Sequence, residues 1–125
     1  MPDILPALAN RRALRAFDSR PIPPEVESLL WQAVSVAPSH GNSQTTRFLV
    51  ARSPETREAM VAALSEGNRT WAPKAPLLVG VAAMPVHAGP AVNSDGSERE
   101  LWGFQAGIAA GNLMAQATEL GLIAH

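Results

Sequence analysis

A single domain that mixes helices with strands is predicted by three observations. The apolar residues Val26, Leu29, Leu30, Ala33 and Val34 recur at the spacing of one helix face. Leu77 to Ala83 is an unbroken apolar run without alternation, the pattern of a central strand covered on both faces. The chain has 125 residues, 46% of them hydrophobic and 17% charged, enough apolar material to fold around one core.

The elements follow in order. Pro2 to about Asn10 reads as a short helix with Ile4, Leu5 and Leu8 on one face. Asp18 to Pro24 contains three prolines and reads as an extended linker, with Pro24 placed to open the next helix. That helix runs to about Val36, and Pro38 ends it. Pro38-Ser39-His40-Gly41-Asn42-Ser43-Gln44 is a polar loop of turn-forming residues. Arg47 to Arg52 reads as a buried strand with charged ends. Ser53, Pro54 and Glu55 suit an N-cap, a first turn and the positive end of a helix dipole, and the helix they open is expected to stop near Gly67-Asn68. Pro73 and Pro76 exclude a helix between Trp71 and Pro76. Val86 to Asp95 reads as a loop. Ser97 and Glu100 form a capping-box pattern for a last helix over about 98–120, closed by Gly121.

That last helix is apolar nearly all round. Gly103, Gly107 and Gly111 recur every four residues, although each interior glycine costs roughly 1 kcal/mol relative to alanine. Such a ridge admits the close approach of another backbone, either within the core or across a subunit interface. A new apolar run starts at Leu122, and two strands alone make a marginal sheet. The whole of 1–125 therefore reads as the N-terminal part of a longer domain, or as one that a partner chain completes.

The net charge is −1, which argues against non-specific nucleic-acid binding. The absence of cysteine excludes disulfides, thiolate catalysis and cysteine-ligated metals, and fits a cytoplasmic protein. No stretch has the ~20 apolar residues of a membrane span, so no membrane partner is expected. His87 and His125 have no ligand-spaced companion, so no metal site is expected. Four of the ten basic residues lie between 11 and 20. Guanidinium groups match two phosphate oxygens at once, and in a helix Arg11 and Arg15 would share a face.

Four motifs stand in order: Arg11-Arg12-x-x-Arg15-x-Phe17; Ala37-Pro38-Ser39-x-x-Asn42-x-Gln44 with Arg47-Phe48 opening a strand; Gly67-Asn68-x-x-Trp71-Ala72-x-x-Ala75-Pro76; and Ala117-x-x-Leu120-Gly121-Leu122. In order and spacing the chain resembles the nitroreductase family of FMN-dependent oxidoreductases. The resemblance implies an α+β fold with a central, mostly antiparallel sheet flanked by helices. It implies a homodimer with flavin sites at the interface and the last helix in that interface. It places Arg11, Arg12 and Arg15 at the FMN phosphate and ribityl chain, and Pro38, Ser39 and Asn42 along the flavin ring. His40 is the one motif histidine, a candidate substrate contact or proton donor. Ala13 stands where the family usually has serine, and Gln44-Thr45-Thr46 where it usually has Gln-Pro-Trp.

The implied activity is electron transfer from NAD(P)H through FMN to a small-molecule acceptor such as a nitroaromatic or a quinone. Two other readings stay open. One is another flavin reaction on the same scaffold, either flavin fragmentation or reductive dehalogenation. The other is an inactive fragment or a phospho-ligand binding module without redox chemistry.

Overall fold

The computed structural model describes residues 3–85, 92–97 and 100–125. Its elements are α1 (Pro6–Asn10), α2 (Pro24–Ser35), β1 (Thr46–Val50), α3 (Pro54–Ala62), α4 (Glu66–Arg69), β2 (Val79–Ala83) and α5 (Trp102–Glu119). The class is α+β. β1 and β2 pair antiparallel in the register Thr46↔Ala83 to Val50↔Val79. The pairing extends one step further, where the Ala51 amide donates to the Leu78 carbonyl at 3.1 Å.

Local chemistry explains most element boundaries. Prolines occupy the first turns of α1, α2 and α3, where a missing N–H costs nothing. At α3 the Ser53 hydroxyl accepts from the Thr56 amide, and Thr56 reciprocates toward the Ser53 amide. Gly121, with φ of 72°, ends α5 as expected. The Leu122 amide donates to the Ala117 carbonyl and the Gly121 amide to Thr118, which satisfies carbonyls that the helix end would leave bare.

Several boundaries differ from the sequence reading. α3 stops at Ala62, and Gly67 and Asn68 lie inside the separate short helix α4. The break at Ser65 is extended, and the Arg69 guanidinium bonds the Leu64 carbonyl left over from α3 at 2.7 Å. Ala72–Lys74 forms a 3₁₀ turn despite Pro73, because a proline in a helix's first positions forfeits no internal hydrogen bond. The Ser97–Glu100 capping box does not form. α5 starts at Trp102 with no side-chain cap, and the Ser97 hydroxyl donates to Asp95 instead. Residues 98 and 99, and 86–91 of the expected loop, lie outside the described residues. β2 is not covered on both faces as its apolar run predicts: Val81 is exposed, and on the other face of the sheet so is Leu49.

The core is small and built largely of alanine. Ala51, Ala72, Ala75 and Leu78 form its centre, with Phe17, Met60, Val61, Leu64 and Trp71 packed around them. α5 packs against α1, α2 and both strands. One link to α2 is polar, from the Asn112 side-chain amide to the Ala33 carbonyl at 3.1 Å.

β1 and α2 are joined by a three-residue network. Arg52 pairs with both oxygens of Glu27, and the Trp31 indole N–H donates to the same carboxylate at 2.9 Å. The Trp31 ring packs on Phe48 of β1. The Arg52 hydrogen bond, aided by the one from Trp31, holds the Glu27 carboxyl below its ordinary 4.5, against the opposing effect of burial. A depressed carboxyl stabilises the fold above the unfolded-state value and stops doing so as pH falls through the folded one. Arg52 is largely exposed, and solvent screening keeps the contribution of the pair small. Glu27→Gln is therefore expected to lower the denaturant midpoint at neutral pH and to flatten the fall in stability below pH ~5. Parallel pH titrations of urea unfolding for the two proteins check this, and identical slopes would refute it.

Candidate functional site

The arginine segment is not helical. α1 ends at Asn10, Arg11 has ψ of 128°, and Ala13 makes a parallel bridge with Ala124. The Leu14 amide donates to the Ala124 carbonyl at 3.3 Å. This long-range pairing takes the backbone groups that a continued helix would have used. Arg11 and Arg15 therefore do not share a helix face.

The three guanidinium groups have different surroundings. Arg12 folds back, and its Nη1 donates to the Ala9 and Arg11 carbonyls, both at 2.8 Å. Arg15 lies over the Trp71 ring at 5.8 Å from its centroid. Phe17 stacks on the same ring at 5.5 Å, and His125 meets it edge-on at 4.6 Å. The Arg11 guanidinium makes no hydrogen bond or ion pair among the described residues, and neither does that of Arg15 apart from its ring contact. Their forks are open to an anion from outside.

The second group of residues lies on the loop between α2 and β1. His40–Asn42 forms one 3₁₀ turn. Gly41, Asn42 and Gln44 all have left-handed backbones, with φ of 54°, 55° and 47°. Glycine and asparagine tolerate this region, but glutamine at Gln44 does so at a cost of ~1 kcal/mol or more. The turn is closed from within by the Ser39 hydroxyl, which accepts the Gln44 amide at 2.9 Å. Pro38, His40 and Asn42 are exposed, and Ser39 is half-buried. A cleft of about 190 Å³ opens beside the loop, lined by Pro38, Ser39, Gln44, Arg47, Gln105 and Ala109.

Gln105 is a residue that the sequence reading passes over. It is 3% exposed, and its Oε1 accepts from the Ser43 hydroxyl at 3.1 Å and from Thr45 at 3.2 Å. A lone glutamine among the apolar residues of a helix start is the available signal. Trp71 is the half-buried centre of the aromatic group beside Arg15.

Helix α5 links the two groups. The loop is tied to its first turns through Gln105, and the arginine segment to the chain just beyond its last turn through Ala124. The axis from Gln105 to Leu120 is about 22 Å long. Within one chain the arginines and the loop thus attach to opposite ends of this helix. No group of three or more metal-ligating side chains exists among the described residues. No helix among them is long and apolar enough to cross a membrane.

Comparison with known proteins bears on this arrangement. The sequence model of the nitroreductase family matches residues 8–79, more than half of the chain. A Streptomyces coelicolor protein, a candidate NADH dehydrogenase/NAD(P)H nitroreductase, is 33% identical over 72 residues, which are 58% of this chain and 37% of that protein. The crystal structure of an oxidoreductase containing FMN superposes with a TM-score of 0.77 at 32% identity, covering 95% of this chain and 60% of the other. A candidate nitroreductase from Desulfovibrio desulfuricans, in complex with FMN, superposes with a TM-score of 0.69 at 25% identity, covering 91% of this chain and 61% of the other. The chain thus spans less than two thirds of the length of the relatives it matches.

Proposed function

The chain belongs to the nitroreductase family, and on that premise we propose that it binds FMN in a homodimer and serves an NAD(P)H-dependent oxidoreductase. In this reading residues 1–125 are the N-terminal part of the domain. The observation that carries the reading is the pair of polar groups at the two ends of α5: open guanidinium forks at one end and a strained, exposed loop beside a cleft at the other.

The residues present fit the cofactor's chemistry. Arg11 and Arg15 have N–H groups free of hydrogen bonds for a phosphate, and Arg12 keeps its Nε and Nη2 for the ribityl side. Pro38, Ser39 and Asn42 offer an apolar ring and polar groups to a flat heteroaromatic system. The chemistry that FMN supplies when bound is hydride acceptance from NAD(P)H and electron delivery to a small acceptor such as a nitroaromatic or a quinone. The protein's part is to hold and orient the group and to exclude water from it. In this reading His40, exposed on the same loop, is the candidate substrate contact or proton donor to the reduced product.

A two-chain site follows from the same geometry. Arginines and loop lie at opposite ends of one helix, so a second copy packed on α5 brings the loop of one chain toward the arginines of the other. A Cβ built on Gly103, Gly107 or Gly111 would meet nothing within 4 Å among the described residues, so none of them packs against the glycine ridge. Phe104 beside it is 68% exposed. The chain's accessible surface is 8447 Å². A compact monomer of its 13.2 kDa mass would expose about 6,400 Å². The excess is surface that a partner chain and the rest of the domain would cover between them.

The test is spectroscopic. The purified chain with added FMN is expected to keep the flavin's visible absorption through gel filtration and to lose it on anaerobic addition of NAD(P)H. Arg11→Ala is expected to weaken FMN binding by about 10–100-fold, the worth of a charged hydrogen bond. A colourless wild-type protein, or equal FMN affinity in Arg11→Ala, would refute the respective parts of the proposal.

A further inference from the structure

The strained loop needs something to hold it, and the structure assigns that role to Gln105. Three of the four residues from Gly41 to Gln44 are left-handed, and two of them are not glycine. Such a backbone persists only where its surroundings over-determine it. The bond from the Gln44 amide to Ser39 is local and exposed, and it cannot orient the loop against the rest of the molecule. The long-range ties are on either side of Gln44. Ser43 and Thr45 both donate to the one oxygen of Gln105, across some sixty residues of sequence. Thr45 is 1% exposed, and its carbonyl accepts from the Met84 amide at 2.9 Å just past β2. The clamp therefore grips the loop's exit between α5 and the sheet and leaves Asn42 exposed and Ser39 half-buried beside the cleft.

We propose that Gln105 is a positioning residue for the flavin. By accepting from Ser43 and Thr45 it fixes the left-handed turn at Gln44, and so presents Ser39 and Asn42 to the cofactor ring. The proposal rests on the flavin reading above. Gln105 does not touch the cofactor and acts through the loop. Its Nε2 is buried with no partner among the described residues. The amide is thus held in place by its oxygen alone, and only the acceptor is needed for the clamp. Glutamate keeps that acceptor in either protonation state, at the cost of a second buried oxygen without a partner, so its folded form is the one compared; leucine keeps the volume and removes the acceptor.

The experiment compares the full chain with Gln105→Leu, Gln105→Glu and Ser43→Ala. Two readouts are used: FMN affinity by flavin-fluorescence titration, and hydrogen exchange of the Gln44 amide without FMN. Gln105→Leu is expected to bind FMN roughly tenfold more weakly, because the competent loop becomes a minority conformer. Its Gln44 amide is expected to exchange faster by a similar factor while amides of β1 and α5 keep their wild-type rates. Gln105→Glu is expected to restore both to within about threefold, and Ser43→Ala to fall between. Unchanged FMN affinity and unchanged Gln44 exchange in Gln105→Leu overturn the proposal, as does a folded Gln105→Glu that behaves like leucine. If Gln105→Leu fails to fold, Ser43→Ala decides by the same two readouts. Wild-type protein that binds no FMN overturns the flavin reading instead, and the exchange arm alone then decides whether Gln105 holds the loop.

Discussion

Gly107→Leu is expected to stabilise the isolated chain and to weaken its self-association. The two effects have opposite signs because they act on different states. Leucine is about 0.8–1 kcal/mol better than glycine in a helix interior, and no described residue beyond the local helix backbone comes within 4 Å of where its Cβ would stand. The helix alone therefore gains. In the proposed dimer the same side chain fills space needed by the partner's backbone, at a cost of about 1–3 kcal/mol. A two-fold interface meets the change twice, so the dimer Kd should rise by at least 10–100-fold on an order-of-magnitude estimate. Sedimentation equilibrium measures the association, and thermal unfolding at low concentration measures the monomer. FMN retention should fall together with dimerisation if the cofactor site needs both chains. A variant that dimerises like wild type would remove the α5 ridge from the interface.

Leu78→Ala is expected to destabilise the fold by about 2–5 kcal/mol. Leu78 is the one large side chain in a buried cluster otherwise made of Ala51, Ala72 and Ala75. The neighbouring alanines have no rotamers with which to fill a vacated space, so any relaxation must come from Met60 and Leu64 at the cluster's edge. The backbone bond from Ala51 to the Leu78 carbonyl survives the change, which leaves the loss of packing as its cause. Against a total stability of roughly 5–15 kcal/mol for a natural domain, such a loss removes much of the margin. Denaturant unfolding followed by tryptophan fluorescence, with Trp71 at the edge of this cluster, provides the measurement. A loss below ~1 kcal/mol would mean that the core lies elsewhere.

Much of this fold was legible before any coordinates. The α2 stripe, the prolines that open α2 and α3, the Ser53 cap and the Gly121 stop are consequences of nearest-neighbour chemistry, whereas α1 begins at Pro6 and not at Pro2. Both strands appear where apolar runs predict them, and the four ordered motifs point to the family. Boundaries set by distant contacts were not legible. Nothing between Ala62 and Ser65 announces the break between α3 and α4, because the carbonyl left there is taken by Arg69 from the next turn. The Ser97–Glu100 pattern is a sound cap in isolation, yet Ser97 bonds Asp95 and α5 starts later.

The candidate site divides in the same way. Which residue types could meet a phosphate and a flavin ring was written in Arg11, Arg12, Arg15 and the Pro38–Asn42 loop, since donor chemistry and turn preference are properties of the residues themselves. Their arrangement required the folded chain. Pairing of Ala13 with Ala124 makes the arginine segment extended, and a buried amide oxygen at Gln105 holds a loop sixty residues away. Both depend on contacts between residues far apart in sequence, formed only when packing against α5 has met the entropy of closing those long loops.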